Sequence, residues 1–192
     1  MNGDFHSRQS SIIRPEQLEL PIAIIGAGAI GSWTALSLGK LGCRNLTIFD
    51  FDIVESVNVG AQVYTSLDIG TLKAQALQTR LGFLLEDTII TARTGRIEDN
   101  LEEISHYNIV ISAVDDMDSL RSILSGLHNP QLLIDGRMGG NAIEVHTVNL
   151  SDRQQVEEYE KGLFANEKAI PIPCGERSVV YTVFVVAGII TS

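Results

Sequence analysis

A short apolar run, Ile22-Ala23-Ile24-Ile25, breaks into Gly26-Ala27-Gly28-Ala29-Ile30-Gly31, and no other stretch of the chain narrows its folding options as far. Consecutive apolar, largely β-branched residues read as a strand buried on both faces. Ala29 to Lys40, closed by Leu41-Gly42, has the composition of a helix, so the glycines fall in the turn between strand and helix. Gly26 suits the tight turn, Gly28 a close approach of main chain to phosphate or ribose, and Gly31 close packing of the helix. The start of that helix offers unpaired N–H groups to an anion. Asp50, after the next predicted strand at Leu46 to Phe49, stands where an acid accepts hydrogen bonds from ribose hydroxyls. A dinucleotide for hydride transfer satisfies these features, and so does ATP. The chain has no GxxxxGKS/T run, so a triphosphate is not held by a P-loop.

The pattern beyond the turn repeats strand and helix. Gly70 to Leu85 reads as a helix containing Lys73, and Thr88 to Ala92 as a strand. Asn108 to Val114 is a further buried strand, followed by Asp115 and a helix to about Leu127. Gln131 to Ile134 is a strand ended by Asp135, Ala142 to Val148 an antiparallel or edge strand, and Asp152 to Lys161 a short polar helix. From Ser178 onward the pattern leaves helix or strand open. The alternation predicts an α/β, Rossmann-like three-layer fold, a mainly parallel sheet with helices on both faces. With 192 residues the chain forms one domain: a polar N-terminal arm over 1–20 and a single nucleotide-binding unit over 21–192.

Fourteen basic against 24 acidic residues leave a formal charge of -10, which disfavours nucleic acid as a partner and leaves metabolites, nucleotides carried with Mg²⁺, or proteins. The longest apolar stretch, 179 to 190, is too short to cross a bilayer, so no membrane role is expected. Cys43 and Cys174 make neither a zinc site nor a disulfide framework, and a cytoplasmic setting is the simpler reading. Cys43, between a helix and a buried strand, reads as core. The four histidines are scattered, and Trp33 and the other aromatics read as packing.

GAGAIGS at 26–32, DFD at 50–52, VESVN at 54–58, Gln62, DIGTLKA at 68–74 and AVDD at 113–116 occur in one order and spacing. On these residues the chain resembles the adenylation domain of the ubiquitin-activating superfamily, in its ThiF, MoeB and HesA branch. The resemblance implies ATP- and Mg²⁺-dependent adenylation of the C-terminal glycine carboxylate of a ubiquitin-like or sulfur-carrier protein, with release of pyrophosphate. It implies a cofactor site built from Gly26, Gly28, Ala29, Gly31, Asp50, Asp52, Asn58, Gln62 and Lys73. Within it Asp50 resembles the acid on the ribose and Lys73 the lysine on the phosphates. Asp115 resembles the acid that places Mg²⁺, and Arg8 the arginine that reaches the phosphates of a neighbouring subunit, which implies a homodimer. Two readings compete with adenylation: a NAD-dependent oxidoreductase, and a nucleotide-binding scaffold that has lost catalysis.

The chain departs from the family pattern at Ala61, where an arginine usually precedes the glutamine, and a methyl cannot replace a guanidinium fork. Arg14, Arg121 and Arg137 are the alternatives that the sequence offers. The family's frequent pair of CxxC motifs is missing too. The nearest pattern is that of zinc-free bacterial or phage members, through YEKGL at 159–163 and CGERSVVYT at 174–182. By that resemblance the final apolar segment is a helix on the sheet, and the full protein continues beyond Ser192. Cys174, in PIPCGER, is either a catalytic thiol that Arg177 helps to ionise or a structural one.

Overall fold

A computed structural model of the chain describes residues 7–9, 11–128, 131–139, 141–166 and 179–192. Its elements in order are α1 (Pro15–Leu18), β1 (Pro21–Ile25), α2 (Ala29–Leu41), β2 (Asn45–Phe49), α3 (Lys73–Leu84), β3 (Ile89–Arg93) and α4 (Leu101–Ile104). There follow β4 (Ile109–Ser112), α5 (Met117–Gly126), β5 (Leu132–Gly139), β6 (Ala142–Asn149), α6 (Arg153–Asn166) and α7 (Val180–Thr191).

Among the described residues the strands make one six-stranded sheet in the order β3-β2-β1-β4-β5-β6. The first five strands are parallel, and β6 returns antiparallel beside β5 at the edge. Side chains alternate across each strand. Ile22 and Ile24 therefore enter the core shared with α2, α3 and α7, whereas Ala23 and Ile25 enter the one shared with α4, α5 and α6. This is the expected three-layer architecture. The chain leaves β1 toward β2 and β3 on one side and takes up β4 and β5 on the other. That reversal opens a crevice at the carboxyl ends of β1 and β4, where open α/β sheets bind ligands.

Two segments run past the ends expected from the sequence, and the structure decides a third. β5 does not stop before Asp135 but runs through it. The strand tolerates this buried acid because Arg137, two residues on and thus on the same face, and Tyr159 of α6 both donate hydrogen bonds to it. α6 continues past Lys161 to Asn166. The C-terminal apolar segment, left open by its pattern, is the helix α7 that the family resemblance implies; it packs on α2, with the Trp33 and Phe184 rings edge to face at 4.7 Å. Among the described residues no helix is long and apolar enough to cross a membrane.

Candidate nucleotide site

The glycines of the first turn do different jobs. Gly26 takes a φ of +94°, and a methyl group there would stand 2.6 Å from the Ala113 carbonyl oxygen, just past β4. At Gly31 an added methyl would stand 1.8 Å from the Gly26 carbonyl oxygen. The fold itself requires both to be glycine. Gly28 is unlike them: nothing lies within 4 Å of the added atom, and its φ of -74° suits any residue. The protein leaves the space in front of Gly28 open. Gly28 is also the N-cap of α2 and has no side chain to cap it, so the first-turn N–H groups of Ala29 and its neighbours remain to be satisfied from outside.

Asp50 braces this turn. Its Oδ2 accepts the Ala27 N–H at 2.6 Å and its Oδ1 the Asp52 N–H at 2.8 Å. Burial pushes the Asp50 carboxyl above its ordinary value, against those two N–H bonds and the nearby Lys73 charge. Lys73 opens α3 and is only 8% exposed, yet its Nζ emerges beside Asp52, donating to Oδ2 at 2.8 Å. Both residues line a cleft of about 390 Å³ together with Phe51, Ile53, Glu55 and Asn58.

The loop between β2 and α3 is stitched to the turn. Trp33 Nε1 donates to the Ala61 carbonyl at 2.9 Å, and the Val63 N–H to Ser32 Oγ at 3.3 Å. The buried Tyr64 hydroxyl bonds the Ala27 carbonyl at 2.8 Å and lies 3.2 Å from that of Lys73, so it ties the glycine turn to the head of α3. Asn58 Oδ1 accepts the Glu55 N–H at 2.7 Å, which holds its own short turn while the residue lines the cleft. Gln62 Oε1 is buried without a partner among the described residues, an acceptor that a donor on a bound molecule would satisfy.

Asp115 is exposed in the loop that leaves β4. Capping of α5 falls to Asp116, whose carboxylate accepts the Ser119 N–H at 2.8 Å. No group of three or more His, Cys, Asp or Glu able to hold a metal occurs among the described residues. A single carboxylate suits Mg²⁺ that keeps waters and substrate phosphates as its other ligands. Arg8 is exposed in the turn Ser7–Gln9, and the side chain of Gln9 bonds the carbonyl of Leu41 at the far end of α2. At about 1.5 Å per residue, that end lies roughly 20 Å from the glycine turn, out of reach of the same protomer's site. Arg14 holds the N-cap position of α1 at that same remote end, where its main-chain N–H donates to Gln17 Oε1 at 3.3 Å. Arg121 pairs with Asp118 on α5 at 2.9 Å, and Arg137 with Asp135 at 2.6 Å. Cys43 is buried, as expected, and burial pushes its thiol up to about 11. Cys174 lies outside the described residues.

The glycine turn, the braced Asp50 and the buried Lys73 thus converge at the topological crevice. A family model described as the ThiF family matches residues 14–191. The chain belongs to the ThiF family. Among ThiF-like relatives it is 26% identical over 140 residues to ubiquitin-like modifier-activating enzyme 5 of Drosophila mojavensis, an alignment covering 65% of this chain and 35% of that enzyme. With the same enzyme of Drosophila grimshawi it is 33% identical over 104 residues, covering 54% of this chain and 23% of the enzyme. The chain therefore spans about a third or less of these curated relatives. Its fold matches that of E. coli MccB with AMPCPP and selenomethionine MccA at a TM-score of 0.73 and 16% identity, over 99% of this chain and 62% of MccB. It also matches E. coli tRNA N6-threonylcarbamoyladenosine dehydratase, TcdA, at 0.72 and 17% identity, over 98% of this chain and 92% of TcdA.

Two residues of this ThiF-family site carry no sequence signal. Trp33 and Tyr64 look like isolated aromatics in the sequence, and their roles are contacts across 28 and 37 residues of chain. The Asp135, Arg137 and Tyr159 cluster gave only a faint one, an acid at a strand end.

Proposed function

We propose that this ThiF-family chain binds ATP with Mg²⁺ and adenylates the C-terminal carboxylate of a ubiquitin-like or sulfur-carrier protein. The observation that carries the reading is Lys73, a lysine whose side chain is 11% exposed and whose ammonium nonetheless meets the cleft. Lysine is almost never buried unless it is paired, and Asp52, its half-exposed partner, leaves the ammonium accessible to a second anion. The names of the relatives support the same chemistry: ubiquitin-like modifier-activating enzymes among sequences, and MccB with ATP among structures of this fold.

In the proposed reaction a carboxylate oxygen attacks the α-phosphorus of ATP. A new P–O bond forms as the α–β bridging P–O bond breaks, and pyrophosphate leaves with the electron pair. Two anions must approach, so the chain's task is to neutralise phosphate oxygens and align the reactants. Lys73 supplies one positive charge and the start of α2 supplies N–H donors beside the open front of Gly28. Asp50, with Asp52, accepts ribose hydroxyls and fixes the nucleoside. Asn58 and Gln62 supply polar contacts from the loop. Mg²⁺ supplies charge neutralisation on the phosphates when bound, and Asp115 is the side chain that would hold it. Arg8 serves the site of a second copy, so the working unit is a homodimer. Cys174 is the candidate for a covalent step with the activated partner; loss of transfer in Cys174→Ala is the result expected of that role, and unchanged transfer overturns it.

The experiment is titration calorimetry of the chain with ATP and Mg²⁺, and with NADH under the same conditions. ATP binding without NADH binding is expected. NADH binding alone overturns adenylation in favour of hydride transfer, and ATP binding without pyrophosphate exchange against carrier proteins points to a scaffold.

A further inference from the structure

From Asp50 to Leu72 the chain carries no lysine, arginine or histidine, so the loop that walls the cleft brings no positive charge to a phosphate. Donors must come from Lys73 and from the N–H groups at the start of α2. What the loop places between these two is Tyr64, a side chain 2% exposed. Its hydroxyl lies 2.8 Å from the Ala27 carbonyl oxygen in the glycine turn and 3.2 Å from that of Lys73 at the head of α3. A phenol has one proton to donate, and the shorter distance assigns it to Ala27.

The other main-chain groups of the turn are held as well. Gly26 N–H donates to the Phe49 carbonyl at 2.8 Å, Ala27 N–H to Asp50 Oδ2 at 2.6 Å, and Ser32 N–H to the Gly28 carbonyl at 3.0 Å. The Gly28 N–H meets no acceptor among the described residues. It belongs to the same planar trans peptide unit as the Ala27 carbonyl, so the two point in opposite directions. With that carbonyl held by the buried hydroxyl, the Gly28 N–H faces away from it, at a residue that is partly exposed. Glycine by itself does not fix this direction. Lacking a Cβ, Gly28 tolerates a φ of either sign, and the peptide plane before it can turn over at little steric cost. The bond from Tyr64 opposes that rotation.

We infer that Tyr64 is a positioning residue for the phosphates of the nucleotide. Its hydroxyl sets the Ala27–Gly28 peptide so that the Gly28 N–H donates to a phosphate oxygen, and it keeps that donor in register with Lys73. The inference rests on the adenylation reading, which supplies ATP as the ligand. Without the hydroxyl, the Ala27 carbonyl is left buried and without a donor, which is costly. Turning the plane over brings that carbonyl to water and sets an oxygen, in place of an N–H, before the phosphates. The nucleoside end, held by Asp50, is untouched by the change.

Tyr64→Phe keeps the ring and removes only the hydroxyl. The test is titration calorimetry of parent and variant with ATP and Mg²⁺, and separately with adenosine. ATP affinity is expected to fall roughly tenfold or more, the scale of one hydrogen bond to a charged group, with adenosine affinity unchanged. Equal loss of both ligands would make Tyr64 a structural brace, and ATP affinity equal to the parent's would leave it no role; either result overturns the inference. Amide exchange on the parent chain decides even where the variant fails to fold. The Gly28 N–H is expected to exchange rapidly in the free chain and slowly with AMPCPP and Mg²⁺ bound. A Gly28 amide protected without nucleotide, or unprotected with it, overturns the assignment. ATP binding that responds to Tyr64→Phe in a chain that exchanges no pyrophosphate with any carrier upholds Tyr64 and overturns adenylation, whereas a chain that binds no ATP overturns both.

Discussion

Gly28→Ala is the substitution that separates a glycine kept for a ligand from one kept for the fold. In the folded chain the new methyl meets nothing within 4 Å, and the backbone stays at a φ of -74°, which alanine adopts freely. Replacing glycine at a compatible site removes freedom from the unfolded chain, so stability is expected to rise by about 0.4–1 kcal/mol or to hold. The methyl does occupy the space beside the α2 N-terminus, and a tenfold or greater loss of ATP affinity is expected, about 1.4 kcal/mol. Gly31→Ala is the control. Its methyl would stand 1.8 Å from the main-chain oxygen of Gly26, which no rotamer change relieves, and overpacking of this kind costs about 1–3 kcal/mol or more. Urea denaturation gives the stabilities and calorimetry with ATP and Mg²⁺ the affinities. Equal destabilisation by the two substitutions would refute the division of roles, as would a stable Gly28→Ala chain that binds ATP like the parent.

The remaining expectations concern the charged groups and the buried thiol. Lys73→Ala is expected to lower pyrophosphate exchange by about a hundredfold or more, the scale of losing one donor to a transferring group; an unchanged rate would make Lys73 a structural residue. Asp115→Asn is expected to damage Mg²⁺-dependent turnover more than nucleotide binding, read from exchange rates and calorimetry in parallel, and equal loss of both would point to structural damage. Because the Asp50 carboxyl sits above its ordinary 3.8, it takes up its proton before an ordinary aspartate does as pH falls. Adenosine affinity is therefore expected to weaken on acidification while the pH is still above 3.8, and Asp50→Asn should flatten that profile. The same shift means that the native state holds the extra proton, so Asp50's contribution to stability declines as pH rises through the interval above 3.8. In a Cys174→Ala background Cys43, buried and with its thiol pushed to about 11, is expected to resist a thiol reagent at pH 8 until urea unfolds the chain. Rapid labelling of the native protein would contradict its burial.

The parallel sheet, the glycine turn and the two acids after β2 and β4 were legible in the sequence because each rests on local signals: apolar runs, chain-bending residues and short spacing. What local pattern could not convey was which distant groups meet. The buried Asp135 is held in its strand through Oδ2, which accepts hydrogen bonds from Arg137 and Tyr159, and Tyr159 arrives on a helix 24 residues away. Tyr64 and Trp33 brace the site through bonds that only folding brings into range. The segment from Val180 to Thr191 has no clean period because residues on more than one side are apolar, and packing against α2 and the sheet is what selects helix there. Sequence alone determined the layers of the fold and the residue types of the crevice, since both follow from periodicity and composition. Only the tertiary structure decided which glycine faces open space, that Lys73 is buried yet meets the cleft, and that Arg8 lies at the wrong end of α2 to serve its own site, because each depends on distances between parts of the chain remote in sequence.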